Sequence, residues 1–146
     1  MTKTDKINEL VQTVRTLNWE VRPKISNAPG GDPPGNPLHQ ALGELRNNEV
    51  TASQLIRSMS LSETAAQMSA EQEVTHDPVD QVGTRQLLSE FATARESILS
   101  LLRNVSDEDW AQAHETPNGT KSMEQAVDDL ISSDRALVER ITKAAS

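Results

Sequence analysis

The segment Ser122 to Ile141, SMEQAVDDLISSDRALVERI, constrains the fold more than any other part of the chain. Met123, Val127, Leu130, Ile131, Leu137, Val138 and Ile141 recur with the period of an amphipathic helix. Ser122 is placed to cap its start, with Gln125 three residues on as the capping-box partner. Such a helix must bury its apolar stripe against other elements. Asp134 projects into the middle of that stripe. A carboxylate on a core-facing line is costly unless it is paired or hydrogen-bonded. The last helix therefore demands a polar partner from elsewhere in the chain.

Three more segments read as long helices. The first runs from about Thr4 to Val21, with Ile7, Leu10, Val11, Val14, Leu17 and Val21 on one stripe. Asn18 also lands on that stripe, Trp19 lies off it, and Pro23 terminates the pattern. The second starts at Asn36, a good cap, with Pro37 at the first helical position, and continues to about Met59. Its stripe is Leu38, Leu42, Leu45, Ala52, Ile56 and Met59, and Glu49 sits at its centre as Asp134 does in the last helix. The third runs from Pro78 or Asp80 to Asn104, with Leu87, Leu88, Phe91, Ala94, Ile98, Leu101, Leu102 and Val105 on its stripe. Arg95 lies on the edge of that stripe, within reach of the interior.

Between these segments, Ser26 to Pro37 holds four prolines and three glycines and reads as a linker, with a mobile connector favoured over a binding loop. Leu61 to Asp80 is less regular: Ser62 can cap a short helix, and VTHDP reads as a loop. Ser106 opens a short helix, SDEDWAQ, whose first-turn acids suit the helix dipole. ETPNGTK reads as a turn. Strand-like runs rich in Val, Ile, Thr and aromatics are absent, so the expected class is all-α, one domain over residues 1–146, a four-helix bundle with a short extra helix between helices three and four.

The charge balance narrows the partners. The net charge of −8 leaves no basic face for phosphate, so nucleic acid is not expected. No apolar run approaches membrane-spanning length, and the polar N-terminus is unlike a signal peptide, so a cytoplasmic protein without a membrane partner is expected. The absence of cysteine removes thiolate ligands and Cys nucleophiles. No nucleophile elbow or phosphate-cradling glycine loop is present.

The stretches RQLLSEFATARESILSLLRNVSDEDW (Arg85 to Trp110), TPNG (Thr116 to Gly119) and SMEQAVDDLISSDRALVERI together resemble the DinB/YfiT-like superfamily. The segment ALGELRNNE in helix two matches more weakly. The resemblance implies an up-down-down-up four-helix bundle, often dimeric. It also implies a nickel or zinc ion on three histidines, one in an H-L-x-x-x-E pattern of helix two and two in an H-x-x-x-H pair of the last helix. Residues four apart share a helix face and can converge on one ion.

Carried over residue by residue, that site is missing. The last-helix pair falls on Ser133 and Leu137, and the helix-two histidine falls on Glu44, with Leu45 and Glu49 completing the pattern. A second register puts it on His39 with Glu44 in the glutamate position. No metal cofactor is therefore expected. The candidate polar site is Glu44, Glu49, Arg95, Ser133 and Asp134. Glu49 with Asp134 is either a carboxylate pair for a metal or proton transfer, or structural: a buried hydrogen-bonded network with Arg95 or Asn18, or simple exposure at a bundle end. The structural reading is favoured. His39, His76 and His114 have no ligand spacing and are expected at the surface; Trp19 and Trp110 are expected to pack at the bundle rim. The functional expectation is a homodimeric, non-catalytic binding or interaction module with a degenerate metal site. The alternative is a metal- and thiol-dependent enzyme of the same superfamily using carboxylate ligands. A third possibility is a small hydrophobic ligand held in the apolar interior, near Met59 or Met123.

Overall fold

The computed structural model describes residues 1–28, 31–60 and 76–146. The chain is mostly helical. Its long helices are α1 (Lys3–Thr16), α2 (Pro37–Ser58), α3 (Thr84–Asn104) and α5 (Met123–Ala145). The short helix α4 (Asp107–Ala111) and a two-stranded antiparallel hairpin, β1 (Ala113–Thr116) with β2 (Gly119–Ser122), lie between α3 and α5. The expected short helix capped by Ser62 falls outside the described residues. Among the described residues, no helix is long and apolar enough to cross a membrane.

The start signals work locally as the side chains dictate. Asn36 accepts from the Leu38 amide, and Ser122 and Gln125 form a reciprocal capping box at α5. Ser106 caps α4 by accepting from the Asp109 amide. A second capping box, Thr2 with Asp5, opens α1.

Four features differ from the sequence reading. The first helix does not continue to Val21 as α-helix; it widens into a π turn over Leu17–Val21, then a 3-10 turn over Arg22–Lys24. Pro23 cannot donate and crowds the preceding turn, so the regular ladder ends there. The wider turn, with the Arg22 amide donating to the Leu17 carbonyl, keeps both Leu17 and Val21 buried. The ETPNGTK turn is a β-hairpin, reversing at Pro117–Asn118, with Gly119 at φ +103°. Its strands are four residues each and polar, too short for alternation to stand out. The third helix starts at Thr84, not at Pro78 or Asp80, and a 3-10 turn over Val79–Gln81 precedes it. That turn presses onto α2: a Cβ on Gly43 would sit 2.4 Å from Val79 Cγ1, so only glycine admits the contact. Finally, the linker is tied to the start of α3. Thr84 Oγ1 donates to the Asp32 carbonyl at 2.9 Å, and Arg85 Nη2 donates to the Ser26 carbonyl at 3.0 Å.

Contacts along the helices set their directions. Lys6 meets Glu124 and Asp128, and Thr13 meets Asp134, so α1 and α5 run the same way. Lys3 donates to the Val105 carbonyl and Arg95 to the Leu10 carbonyl, so α3 opposes α1. Arg46 meets Glu90 and Glu49 meets Arg95, so α2 runs with α3. Glu44 meets Arg140 near the far end of α5, which α2 therefore opposes.

The apolar interior is divided. One cluster gathers around Leu10, Ile56, Ile98, Leu102, Val127 and Leu130. The other gathers around Leu17, Leu42, Leu45, Leu88, Phe91 and Ile141. In sequence, each long helix crosses from one cluster to the other at a polar residue: Thr13, Glu49, Arg95 and Asp134.

Candidate functional site

Those four residues meet. Arg95 is fully buried on α3, and its side chain carries five N–H donors in a planar fork. Nε donates to Glu49 Oε2 at 2.6 Å and Nη2 to Glu49 Oε1 at 2.8 Å. Nη2 also donates to Asp134 Oδ1 and Nη1 to Asp134 Oδ2, both at 2.9 Å. The last donor, on Nη1, reaches the Leu10 carbonyl at 3.0 Å. Every guanidinium proton is thus used, with two bidentate carboxylates on one cation. Thr13 Oγ1 donates to Asp134 Oδ2 at 2.8 Å, and the Phe91 ring lies 5.0 Å from the guanidinium carbon. All four long helices contribute a group.

Two carboxylates and one guanidinium leave the ionised cluster with a net charge of −1. Burial pushes the Glu49 carboxyl above its ordinary value, and Asp134 adds to the rise; the hydrogen bonds and charge of Arg95 pull against both. For Arg95, burial disfavours the cation, but hydrogen bonds to Glu49 and Asp134 outweigh it and raise the guanidinium further. The two shifts pull the Glu49–Arg95 pair in opposite senses. The short bidentate geometry fits an ionised pair.

The remaining sequence candidates scatter. Glu44 is exposed and takes Arg140 Nη1 at 2.6 Å, which holds its carboxyl below the ordinary range. Ser133 is half-buried beside Asp134, and Leu137 packs with the apolar cluster around Phe91. Glu44, Ser133 and Leu137 therefore do not offer a converging ligand set. The residues do not fit the three-histidine metal centre that the family resemblance implies. His39, the alternative ligand, is not at the surface: it is fully buried, and its Nε2 lies 2.7 Å from the Val82 carbonyl. Its role is to tether the turn before α3 to α2. Asn18 is exposed and joins Arg22, not the cluster. Trp110 is buried in the core, whereas Trp19 stands in solvent. Among the described residues, no three of His, Asp and Glu converge as a metal site.

Sequence reasoning missed Thr13. Its polarity on the edge of an apolar stripe is the available signal, but Thr is tolerated at such positions unpaired. It also missed the Arg46–Glu90 pair, where Arg46 Nη1 donates to Glu90 Oε2 at 3.0 Å and His76 Nδ1 lies 3.4 Å from the same oxygen.

The cluster borders a surface groove through Thr13 and Asp134. A groove of about 310 Å³ between α1 and α5 has Thr13 and Asp134 in its lining, with Glu9, Thr16, Arg135 and Glu139 around them. Arg135 and Glu9 face each other across it at 3.6 Å. The chain matches no protein-family model, no curated protein and no solved structure.

Proposed function

We propose that this chain is a DinB-like, up-down-down-up four-helix bundle that works as a non-catalytic binding or interaction module, as a homodimer in the cytoplasm. The helix directions and the shared central layer support the bundle. The observation that carries the functional reading is the saturation of Arg95: four of its five donors occupy the oxygens of the two inward carboxylates that an alternative metal site would need, and the fifth goes to the Leu10 carbonyl. Among the described residues no three of His, Asp and Glu converge for the superfamily's metal chemistry, and Glu44 stands apart on Arg140. The enzyme alternative, which required Glu44, Glu49 and Asp134 together, gains nothing from this geometry. A small ligand would reach the network through the groove beside Asp134.

The test is elemental analysis of protein purified without chelator, with nickel and zinc titrations by calorimetry. The expected result is far less than one metal per chain and no saturable heat. One tightly bound metal per chain, lost in Glu49→Gln and Asp134→Asn, would overturn the reading and restore the enzyme.

A further inference from the structure

The turn that closes α1 carries an exposed tryptophan. Trp19 is 82% exposed, and apart from the terminal Met1 it is the one large apolar side chain so exposed among the described residues. The rest of the segment Arg15 to Lys24 gives it a basic setting: Arg15, Arg22 and Lys24 are exposed, against Glu20 as the single acid. Arg22 is held toward this face, its Nε donating to Asn18 Oδ1 at 3.2 Å. The net charge of this stretch is positive on a chain whose total is −8. Of the acids toward this end, Glu44 is paired with Arg140 and Glu139 with Lys143, while Glu20 and Asp80 are exposed.

The acidic groups concentrate at the other end of the helices. Asp107, Glu108, Asp109, Glu124, Asp128 and Asp129 lie around the start of α5 and the end of α3, where α1 begins. α5 has 23 residues, so the two ends stand about 34 Å apart at 1.5 Å per residue. That is several times the screening length of about 8 Å at physiological salt. A surface that approaches Trp19 is thus beyond the reach of those acids, and the segment it meets first, Arg15 to Lys24, carries three cations against Glu20.

From this we infer that the Trp19 turn is a contact site for an anionic lipid surface. A protein interface needs a contiguous, water-excluding patch of several hundred Å² on each side. A single protruding indole on a short basic segment offers no such patch. It suits the interfacial layer of a bilayer, where Trp places its apolar body against acyl chains and its N–H among headgroups, and cations meet lipid phosphates. The sequence reading expected no membrane partner, on the absence of a spanning segment; peripheral contact needs none.

The experiment uses the full chain with vesicles of phosphatidylglycerol and phosphatidylcholine, and of phosphatidylcholine alone. Trp110 is buried, so a change in the red-emitting component reports Trp19. Anionic vesicles should shift that emission to the blue and float with the protein at low salt, while neutral vesicles should do neither. Trp19→Ala should abolish flotation. Arg22→Gln and Lys24→Gln should each weaken it about fivefold, and high salt should release the protein. No shift with anionic vesicles at low salt would overturn the inference. So would equal flotation of Trp19→Ala, or a dimer in sedimentation that Trp19→Ala dissolves without any vesicle binding.

Discussion

At the scale of single residues, Arg95 decides how the interior behaves. Removing a partner from a buried ion cluster leaves charge without compensation, which costs about 3–5 kcal/mol. Arg95→Met should lose about that much at pH 7, measured by urea unfolding. With the cation gone, Glu49 and Asp134 face each other in the core, and folding favours their protonated forms. Stability of this variant should therefore recover as the pH is lowered, and a flat profile would show that the acids had found water or another cation. The wild type carries a weaker version of the same dependence through Glu49. Its folded-state value is raised above the ordinary 4.5. A group raised on folding contributes stability that is complete below its unfolded value and disappears as pH rises through its folded value. Relative to Glu49→Gln, which does not titrate, the wild type should gain stability between pH 7 and the ordinary carboxylate range. The gain can be at most about 1.4 kcal/mol per pH unit. A difference that stays constant with pH would mean that Glu49 is not raised. The presence of a polar partner for each acid was readable from Glu49 and Asp134 on their stripes. Which donors Arg95 aims at which oxygens was not, because that depends on the azimuth of four helices at once.

At the scale of elements, what was legible followed from local chemistry. Periodicity located the four long helices, and Asn36, Ser106 and Ser122 located starts, because a cap acts within one turn. What escaped was set by contacts across the chain. The third helix begins late because residues 78–83 are pressed onto α2 by Gly43 against Val79 and by His39 at the Val82 carbonyl. His39 looked like a surface residue because a histidine at a helix start gives no sign of what lies over it. The hairpin escaped because its register is fixed by Pro117, Asn118 and Gly119 and not by alternation. The Gly43 contact can be tested directly. In a helix interior, Gly→Ala ordinarily gains up to about 1 kcal/mol. Here the added methyl meets a branched side chain well inside contact distance, and Gly43→Ala should instead cost about 1–3 kcal/mol. Adding Val79→Ala removes the obstacle, so the double variant should be more stable than the sum of the two single changes. Strict additivity in thermal unfolding would show that α2 and the turn are not pressed together.

At the scale of the whole molecule, the buried cluster is the layer that joins two apolar cores. Hydrophobic contact is non-directional, so two helices can slide past one another by a turn and still bury similar area. Arg95 cannot slide: its fork matches Glu49 on α2 and Asp134 on α5 at fixed heights, and its last donor fixes α1 at Leu10. The layer thus trades stability for register. Replacing Thr13, Glu49, Arg95 and Asp134 together by Val, Leu, Met and Leu removes the desolvation penalty and fuses the two clusters. By analogy with other buried ion clusters, that variant should be as stable as the wild type, or more so by about 1–4 kcal/mol. What it should lose is uniqueness. Its amide resonances should broaden and its central amides on α2 and α5 should exchange with solvent faster than global unfolding permits, because neighbouring registers become accessible. A variant with the higher melting temperature but sharp resonances and globally limited exchange would show that shape complementarity in the two apolar clusters alone fixes the register. The cluster would then be a costly relic rather than the element that aligns the helices.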